Sequence, residues 1–411
     1  MTKTSSYAKK VAKRIKKLPL IIVLPVLFVG FFLLGTSMSG AKGGLNSLFR
    51  IPPSLLISAQ EKLSPRRLKE KLQDKNFTFI NVHTPYEGEI AGTDMFMEYD
   101  GMVASKSKLP EDKGAEIILY CKTGRMSAEA LVTLKNLGYT NVKHLSGGMD
   151  AWEAQGDKLL DLSGLSGKVL PEEGFTLPLS WGDIGPRLVA LGVIDLDKFE
   201  KGVRPTEEQK KILREGGDIP IKIDKQNGQF VVDILWALGL AQKSIVYTEG
   251  PLGKEYAGQQ RNFASTGGWS LAKGDAVNYL NRFDLIALTA DEQIRVGEIA
   301  KGVFRPCCGN STWFPDCNHG MAALAAIELL VSKGLTDDEI YKEVLKLNSF
   351  WFPDTYLTTA TYFARQGTDW EDVSAKEVLG EAFSSAKGAG EIYAKVGPLP
   401  FVGGAGGSCG A

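Results

Sequence analysis

The chain has 411 residues, 44% of them hydrophobic and 23% charged, with 46 Gly, 18 Pro and five Cys. Those fractions exclude collagen, bulk disorder and a coiled-coil rod, and so few cysteines exclude a disulfide-framed miniprotein; the length predicts two or three domains. The 48 basic and 48 acidic residues cancel, but nine of the basic ones and none of the acidic ones lie in residues 1–60, which leaves a charge of −9 on the remainder. A mildly acidic body is a poor nucleic-acid binder, so no nucleic acid is expected as a partner. Residues 1–17 carry seven cations (Lys3, Lys9, Lys10, Lys13, Arg14, Lys16, Lys17), and residues 18–35 then run without a charge. A helix of eighteen such residues is about 27 Å long, close to a bilayer core, and the uncharged stretch continues through Ala41. The expected order is a basic cytoplasmic segment (1–17), one transmembrane helix (18–38) and a linker (39–56). The positive-inside rule makes this a single-pass protein of the cell membrane, its amino end cytoplasmic and its body outside. A cleaved secretory signal and a buried core helix are the competing readings.

Ser64-Pro65 starts a helix, with Ser as N-cap and Pro in the first turn. Residues 77–82 (FTFINV), 117–120 (IILY) and 142–145 are β-prone runs, and 126–137 has helical spacing ending at Gly138. This alternation predicts an α/β domain over 57–158, a parallel sheet flanked by helices. After Gly156 helical patterns dominate, at 184–191, 206–213, 231–240, 321–332, 337–347 and 356–364. Thr206-x-x-Gln209 and Thr336-x-x-Glu339 match capping boxes, while Asn227-Gly228 between IKIDKQ and QFVV is a hairpin signal. The expectation is one mostly α domain over 165–400 with no internal repeat. A flexible Gly-rich tail, 401–411, follows and carries Cys409.

The run 117–120 leads directly into Cys121-Lys122-Thr123-Gly124-Arg125-Met126-Ser127 at the start of a helix. A thiol there faces unpaired N–H groups and the positive end of the helix dipole. Lys122 and Arg125 add cations, and both effects favour thiolate, the nucleophilic form. Gly124 lets the loop curl so that its amides converge on one anion. Cys121 is expected as an exposed loop thiol.

The stretch LYCKTGRMSAEALVTLKNLGYTNVKHLSGGMDAW, with FTFINVHTPYEGEIAGT before it, resembles a rhodanese domain over residues 57–158. The resemblance implies a sulfurtransferase in which Cys121 becomes a persulfide. Lys122 and Arg125 would assist catalysis, and Thr123, Gly124, Met126 and Ser127 would line the loop holding the terminal sulfur. Two departures stand out. Asn81-Val82-His83 replaces the usual Asp-Val-Arg, removing a family salt bridge, and Glu89-Ile90-Ala91-Gly92-Thr93 replaces the usual GHIPGA-type continuation.

A second constellation is FRPCCGNSTWFPDCNH, in which Cys307, Cys308, Cys317 and His319 fall within thirteen residues. Three thiolates and an imidazole form a tetrahedral zinc set, although adjacent cysteines strain coordination of one ion; such soft ligands also suit copper(I). A disulfide from Cys307 or Cys308 to Cys317 and a redox or persulfide relay remain open beside the metal reading. On its short arm, Cys409 is expected to visit this cluster as a ligand or sulfur carrier. His83 and His144 read as satisfied core residues, and Phe350-Trp351-Phe352 as core or interface. The C-terminal region is similar to an uncharacterised Cys/His-rich bacterial module, which carries no activity with it.

Together these readings give a membrane-anchored sulfurtransferase that moves sulfane sulfur from a donor, such as thiosulfate or a persulfide, through Cys121 to a thiol acceptor. The alternative is a non-catalytic metal- or cofactor-binding protein that uses the rhodanese fold as a docking module.

Overall fold

Period-two alternation in short strands organises the first part of the computed structural model, which describes residues 57–162 and 164–399. In β2 (Thr78–Asn81) and β4 (Ile117–Tyr120), Ile80, Ile117 and Leu119 face one side of the sheet and Phe79, Ile118 and Tyr120 the other. All are fully buried, so both faces must be covered. Helix α2 (Arg125–Asn136) covers one face through Ala130, Leu131 and Leu134; α1 (Pro65–Leu72) and α3 (Gly148–Ala154) cover the other through Leu68, Met149 and Trp152. With β1 (Lys62–Leu63), β3 (Met95–Phe96) and β5 (Val142–Leu145), the strands form an all-parallel sheet in the order β1-β5-β4-β2-β3. This is the expected α/β layering. Ser64 caps α1 by accepting the Arg67 amide, as its sequence predicts.

The second half is helical around a separate core running from Leu162 to Leu399. Its only extended pieces among the described residues, beyond isolated bridges, are β6 (Phe175–Gly182) and β7 (Gly217–Ile223), paired antiparallel with a register shift. Between them lie α4 (Ile184–Leu191), α5 (Leu196–Val203) and α6 (Glu207–Arg214). Helices α7 (Gly228–Ala241), α8 (Ala290–Gly302), α9 (Asn318–Ser332), α10 (Asp337–Trp351), α11 (Pro353–Arg365) and α12 (Ala386–Val396) follow; shorter helical turns are left unnumbered. Both expected capping boxes form, at Thr206–Gln209 and Thr336–Glu339.

The expected hairpin at Asn227-Gly228 does not form. Asn227 is instead the N-cap position of α7, and reciprocal bonds turn the chain into the helix: Asn227 Oδ1 accepts the Asp224 amide at 2.9 Å, and Asp224 Oδ1 accepts the Asn227 amide at 3.0 Å. The mostly apolar segment that follows forms a helix of fourteen residues, too long for a strand, and is buried continuously from Phe230 to Ala241. Helix α7 crosses α9 closely at Gly239, where a Cβ would lie 2.3 Å from the Met321 carbonyl oxygen. Only glycine admits that approach.

The described residues of the two halves belong to one compact unit that begins at Ile57. Among the described residues no helix is long and apolar enough to cross a membrane. The segments 1–17, 18–38, 39–56 and 401–411 lie outside the described residues, and with them the transmembrane helix and Cys409.

Candidate active site and cysteine cluster

Strand β4 ends at Tyr120 and delivers Cys121 to the turn that starts α2. Gly124 sits at the N-cap with φ +90°, a left-handed conformation that aims its N–H back at the sulfur. That amide donates to Cys121 Sγ at 3.1 Å, and Ser127 Oγ lies 3.6 Å from the same sulfur. Ser127 Oγ also lies 3.2 Å from the Gly124 carbonyl and 3.2 Å from His144 Nδ1. Burial, and secondarily Lys62, push the His144 imidazole down to about 4, so it is neutral at pH 7. His144 is a core residue, as its sequence suggests, but not a fully satisfied one: Nδ1 meets the serine beside the sulfur, while Nε2 is buried without a hydrogen-bond partner. No local sequence signal marks it, since β5 carries it there from the neighbouring strand.

Cys121 is buried, with 1% of its surface exposed, which corrects the expectation of an exposed thiol. The side chain belongs to the apolar core beneath α2, and the Gly147-Gly148 turn packs against the main chain of the cysteine loop. Gly148 has φ +59°, and a Cβ there would lie 2.1 Å from the Cys121 carbonyl oxygen. The start of α3 then donates two amides into the loop, Met149 N–H to the Cys121 carbonyl at 2.9 Å and Asp150 N–H to that of Lys122 at 3.0 Å. The paired glycines are thus needed for two loops to touch.

Lys122 and Arg125 reach the surface and pair with carboxylates. Lys122 binds Glu87; Arg125 holds Glu129 at 2.7 Å and lies over the Tyr99 ring. Thr123 is exposed, Met126 half-buried, and Gly124 and Ser127 buried. The groups hydrogen-bonded to Sγ are therefore the Gly124 amide and the Ser127 hydroxyl, with the two cations at the rim.

The departures in the loop after β2 acquire a structural meaning. Asn81 stands in the sheet and braces that loop, its Nδ2 donating to the Gly88 carbonyl at 2.9 Å while its Oδ1 accepts the His83 amide at 3.0 Å. Glu89 is fully buried and meets Arg365 at the end of α11 in a two-pronged ion pair, Nε and Nη2 each 3.2 Å from a carboxylate oxygen. Arg365 Nη1 donates to the carbonyls of Asp94 and Val396 at 2.8 and 2.9 Å. Burial pushes the Glu89 carboxyl up, and the Arg365 guanidinium pulls against that. The altered loop is where the helical half docks.

In that half, Cys307, Cys308 and Cys317 converge so that their sulfurs all lie within 4.8 Å of one another, Cys307 and Cys317 at 3.5 Å. These three and Cys121 are free thiols. Cys317 is the N-cap of α9, and its Sγ accepts the Gly320 amide at 3.4 Å. Hydrogen bonds from Cys307 and Cys308, with Arg305 nearby, hold the Cys317 thiol well below its usual range. Arg305 is wholly buried beside the cluster; its Nη2 binds Asp316 Oδ1 at 2.8 Å and the Phe314 carbonyl at 3.3 Å, while Nε and Nη1 have no hydrogen-bond partner. Burial opposes the Arg305 charge, yet Cys317, Cys308, Cys307 and Asp316 together hold it above the usual arginine range.

His319 does not join the sulfurs. Two residues beyond Cys317, it is rotated about 200° around the helix, and its ring packs on Phe352 at 4.5 Å and Trp351 at 5.8 Å between centroids. Of the four residues that the sequence groups together, three sulfurs converge and the imidazole packs apart from them.

Comparison with known proteins follows the same division. Residues 64–155 match the model of the rhodanese-like domain family, and this segment is a rhodanese-like domain. A probable adenylyltransferase/sulfurtransferase, MoeZ, of Mycobacterium tuberculosis is 35% identical over 102 residues, which cover 23% of this chain and 24% of that protein. An uncharacterized protein of Synechocystis is 28% identical over 96 residues, covering 23% of this chain and 52% of its own. The chain thus spans about a quarter to a half of the length of these curated relatives. Among solved structures, the rhodanese-like domain of an Anabaena protein is 27% identical, covering 24% of this chain and 78% of that one, with a TM-score of 0.23. The polysulfide-sulfur transferase homodimer of Wolinella succinogenes is 24% identical, covering 29% and 94%, with a TM-score of 0.24.

Proposed function

We propose that this chain is a membrane-anchored sulfurtransferase, moving sulfane sulfur through a Cys121 persulfide to a thiol acceptor. One observation carries the reading: the Cys121 sulfur sits at the start of α2 with the Gly124 N–H aimed at it from 3.1 Å. In the first half-reaction the Cys121 thiolate attacks the outer sulfur of a donor such as thiosulfate. The donor S–S bond breaks, and sulfite leaves with the electron pair. In the second, an acceptor thiolate attacks the terminal sulfur of the Cys121 persulfide, gains it, and releases the Cys121 thiolate. No external oxidant or reductant enters, and the chemistry is covalent catalysis in two steps. Backbone amides of the loop from Lys122 to Ser127 offer fixed dipoles to the anionic sulfur, and Lys122 and Arg125 would favour an anionic donor by exchanging their carboxylate partners, Glu87 and Glu129, for it. Anchoring by residues 18–38 would hold this chemistry at the outer face of the cell membrane.

The rival reading is a non-catalytic metal- or cofactor-binding protein with a docking rhodanese fold; the convergence of Cys307, Cys308 and Cys317 favours it. Thiocyanate formation from thiosulfate and cyanide by the full-length chain in mild detergent separates the two. Cys121→Ser is expected to reduce turnover to background, because a hydroxyl is a far weaker nucleophile, and to remove a donor-dependent mass gain of about 32 Da, one sulfur. Turnover by the serine variant at the wild-type rate would refute the assignment of Cys121, and absence of turnover in the wild type would favour the rival.

A further inference from the structure

The three-cysteine cluster plays no part in the chemistry proposed for Cys121, yet it is a built site. Three sulfurs from two separate chain segments converge, where a disulfide needs only two. The turn closed by the Phe304–Ser311 bridge brings Cys307 and Cys308, and the cap of α9 brings Cys317. The surroundings are fixed as well. Asp316 is held from both sides, by Arg305 at one oxygen and by Asn310 Nδ2 at the other (2.9 Å). Gly320 lies so close to the guanidinium that a Cβ would press on it at 2.9 Å. The buried Arg305 keeps two N–H-bearing nitrogens, Nε and Nη1, without a hydrogen-bond partner. A fully buried cation with unspent donors beside three sulfurs points to negative charge gathered at those sulfurs.

We infer that Cys307, Cys308 and Cys317 form a three-thiolate site for a divalent thiophilic cation of the zinc type, with Arg305 as its buried counter-charge. Sulfurs about 2.3 Å from a tetrahedral ion stand roughly 3.8 Å apart. The observed 3.5 Å for Cys307–Cys317, with every pair inside 4.8 Å, is reached by side-chain adjustments on the order of an ångström or less. Charge selects the valence. Three thiolates and a divalent ion leave one net negative charge, or two with Asp316 counted, against the positive end of α9 and the single charge of Arg305. A monovalent ion would leave two negative charges in a half-buried site that also holds Asp316, a costlier arrangement. Each thiol that enters the coordination sphere releases its proton to solvent, so loading acidifies the medium. His319 stays outside the set, because its ring is packed against Phe352 and Trp351.

The test uses the full-length chain purified in mild detergent under reducing conditions, with elemental analysis, titration with Zn2+ alone, and mass mapping of cysteine alkylation with and without Zn2+. Expected are one equivalent of zinc per chain, protection of Cys307, Cys308 and Cys317 but no zinc-dependent change at Cys121, and full loading of His319→Ala. Cys308→Ser is expected to fall from one equivalent toward none. Alkylation of the wild-type chain reports on the site even if that variant folds poorly. Equal alkylation with and without Zn2+, a Cys307–Cys317 disulfide in the reduced preparation, loss of zinc only in His319→Ala, or isolation with copper(I) in place of zinc would each overturn the inference. None of these readouts depends on sulfur transfer, so this inference and the proposed activity can fail separately.

Discussion

Replacing Arg365 with Met tests whether the loop beside the sulfur site depends on the helical half. The substitution keeps most of the side-chain volume and removes every donor. Glu89 would then be a fully buried carboxylate without its counter-ion, and the carbonyls of Asp94 and Val396 would each lose a partner. Breaking one side of such a pair costs about 3–5 kcal/mol. An independent ceiling comes from the escape route open to Glu89, which is to bind a proton. Neutralising at pH 7 a carboxyl whose unfolded pKa is about 4.3 costs about 3.7 kcal/mol, at about 1.4 kcal/mol per unit. The two figures agree, so Arg365→Met should lose roughly 3–4 kcal/mol at pH 7. The sign of the pH dependence follows. Burial already holds the folded-state pKa of Glu89 above its unfolded value, and losing Arg365 raises it further, so the deficit shrinks, by up to about 1.4 kcal/mol per unit, as pH falls through the interval between the two folded-state values. Urea unfolding at pH 5, 6 and 7 reads this directly, and Glu89→Gln combined with Arg365→Met should recover part of the loss. A single variant within about 0.5 kcal/mol of wild type at pH 7, or a deficit flat across that range, would refute the reasoning.

A second expectation concerns Glu328, buried at the middle of α9, whose pKa burial raises to about 8 against a weaker pull from Ser244. Its contribution is fully present below about pH 4.5 and is lost as pH rises to about 8, so Glu328→Gln should gain on the wild type by on the order of 3–5 kcal/mol between pH 5 and 9 in urea unfolding; a pH-independent difference would sink the claim. For the glycine turn, Gly148→Ala should lower stability by roughly 3 kcal/mol or more and disable the cysteine loop, whereas Gly156→Ala, with positive φ but nothing within 4 Å, should cost only about 1 kcal/mol. Equal melting temperatures for the two variants would contradict the role given to the close approach.

The parts legible in the sequence are those fixed by neighbours along the chain. The strand 117–120, the caps at Ser64, Thr206 and Thr336, and the cysteine turn all follow from residues within six positions of one another. Asn227-Gly228 misled because a dipeptide signal was outweighed by the long apolar run behind it, which only a buried helix accommodates. β6 is not legible in the sequence because its partner β7 lies beyond three intervening helices. The same limit governs the sites. Spacing grouped Cys307, Cys308 and Cys317, whose sulfurs converge, but could not say that helical rotation turns His319 away. Nor could it pair Glu89 with Arg365, 276 positions later, or bring His144 to Ser127. The departures from the familiar pattern were visible as letters, but what they serve became visible only once the second half was in place.

The seam between the halves runs inside the recognised module. Glu89 exchanges backbone hydrogen bonds with Leu160, five residues past the matched segment, at 2.7 and 3.2 Å. A transplant of residues 64–155 into another chain would carry the buried acid away from both its strap and its clamp. Substitutions accumulating in α11 or α12 bear on the same point, because Arg365 and the Val396 carbonyl reach it from there. Drift in the helical half is therefore constrained by a loop it does not encode, and the two segments are expected to change together or not at all.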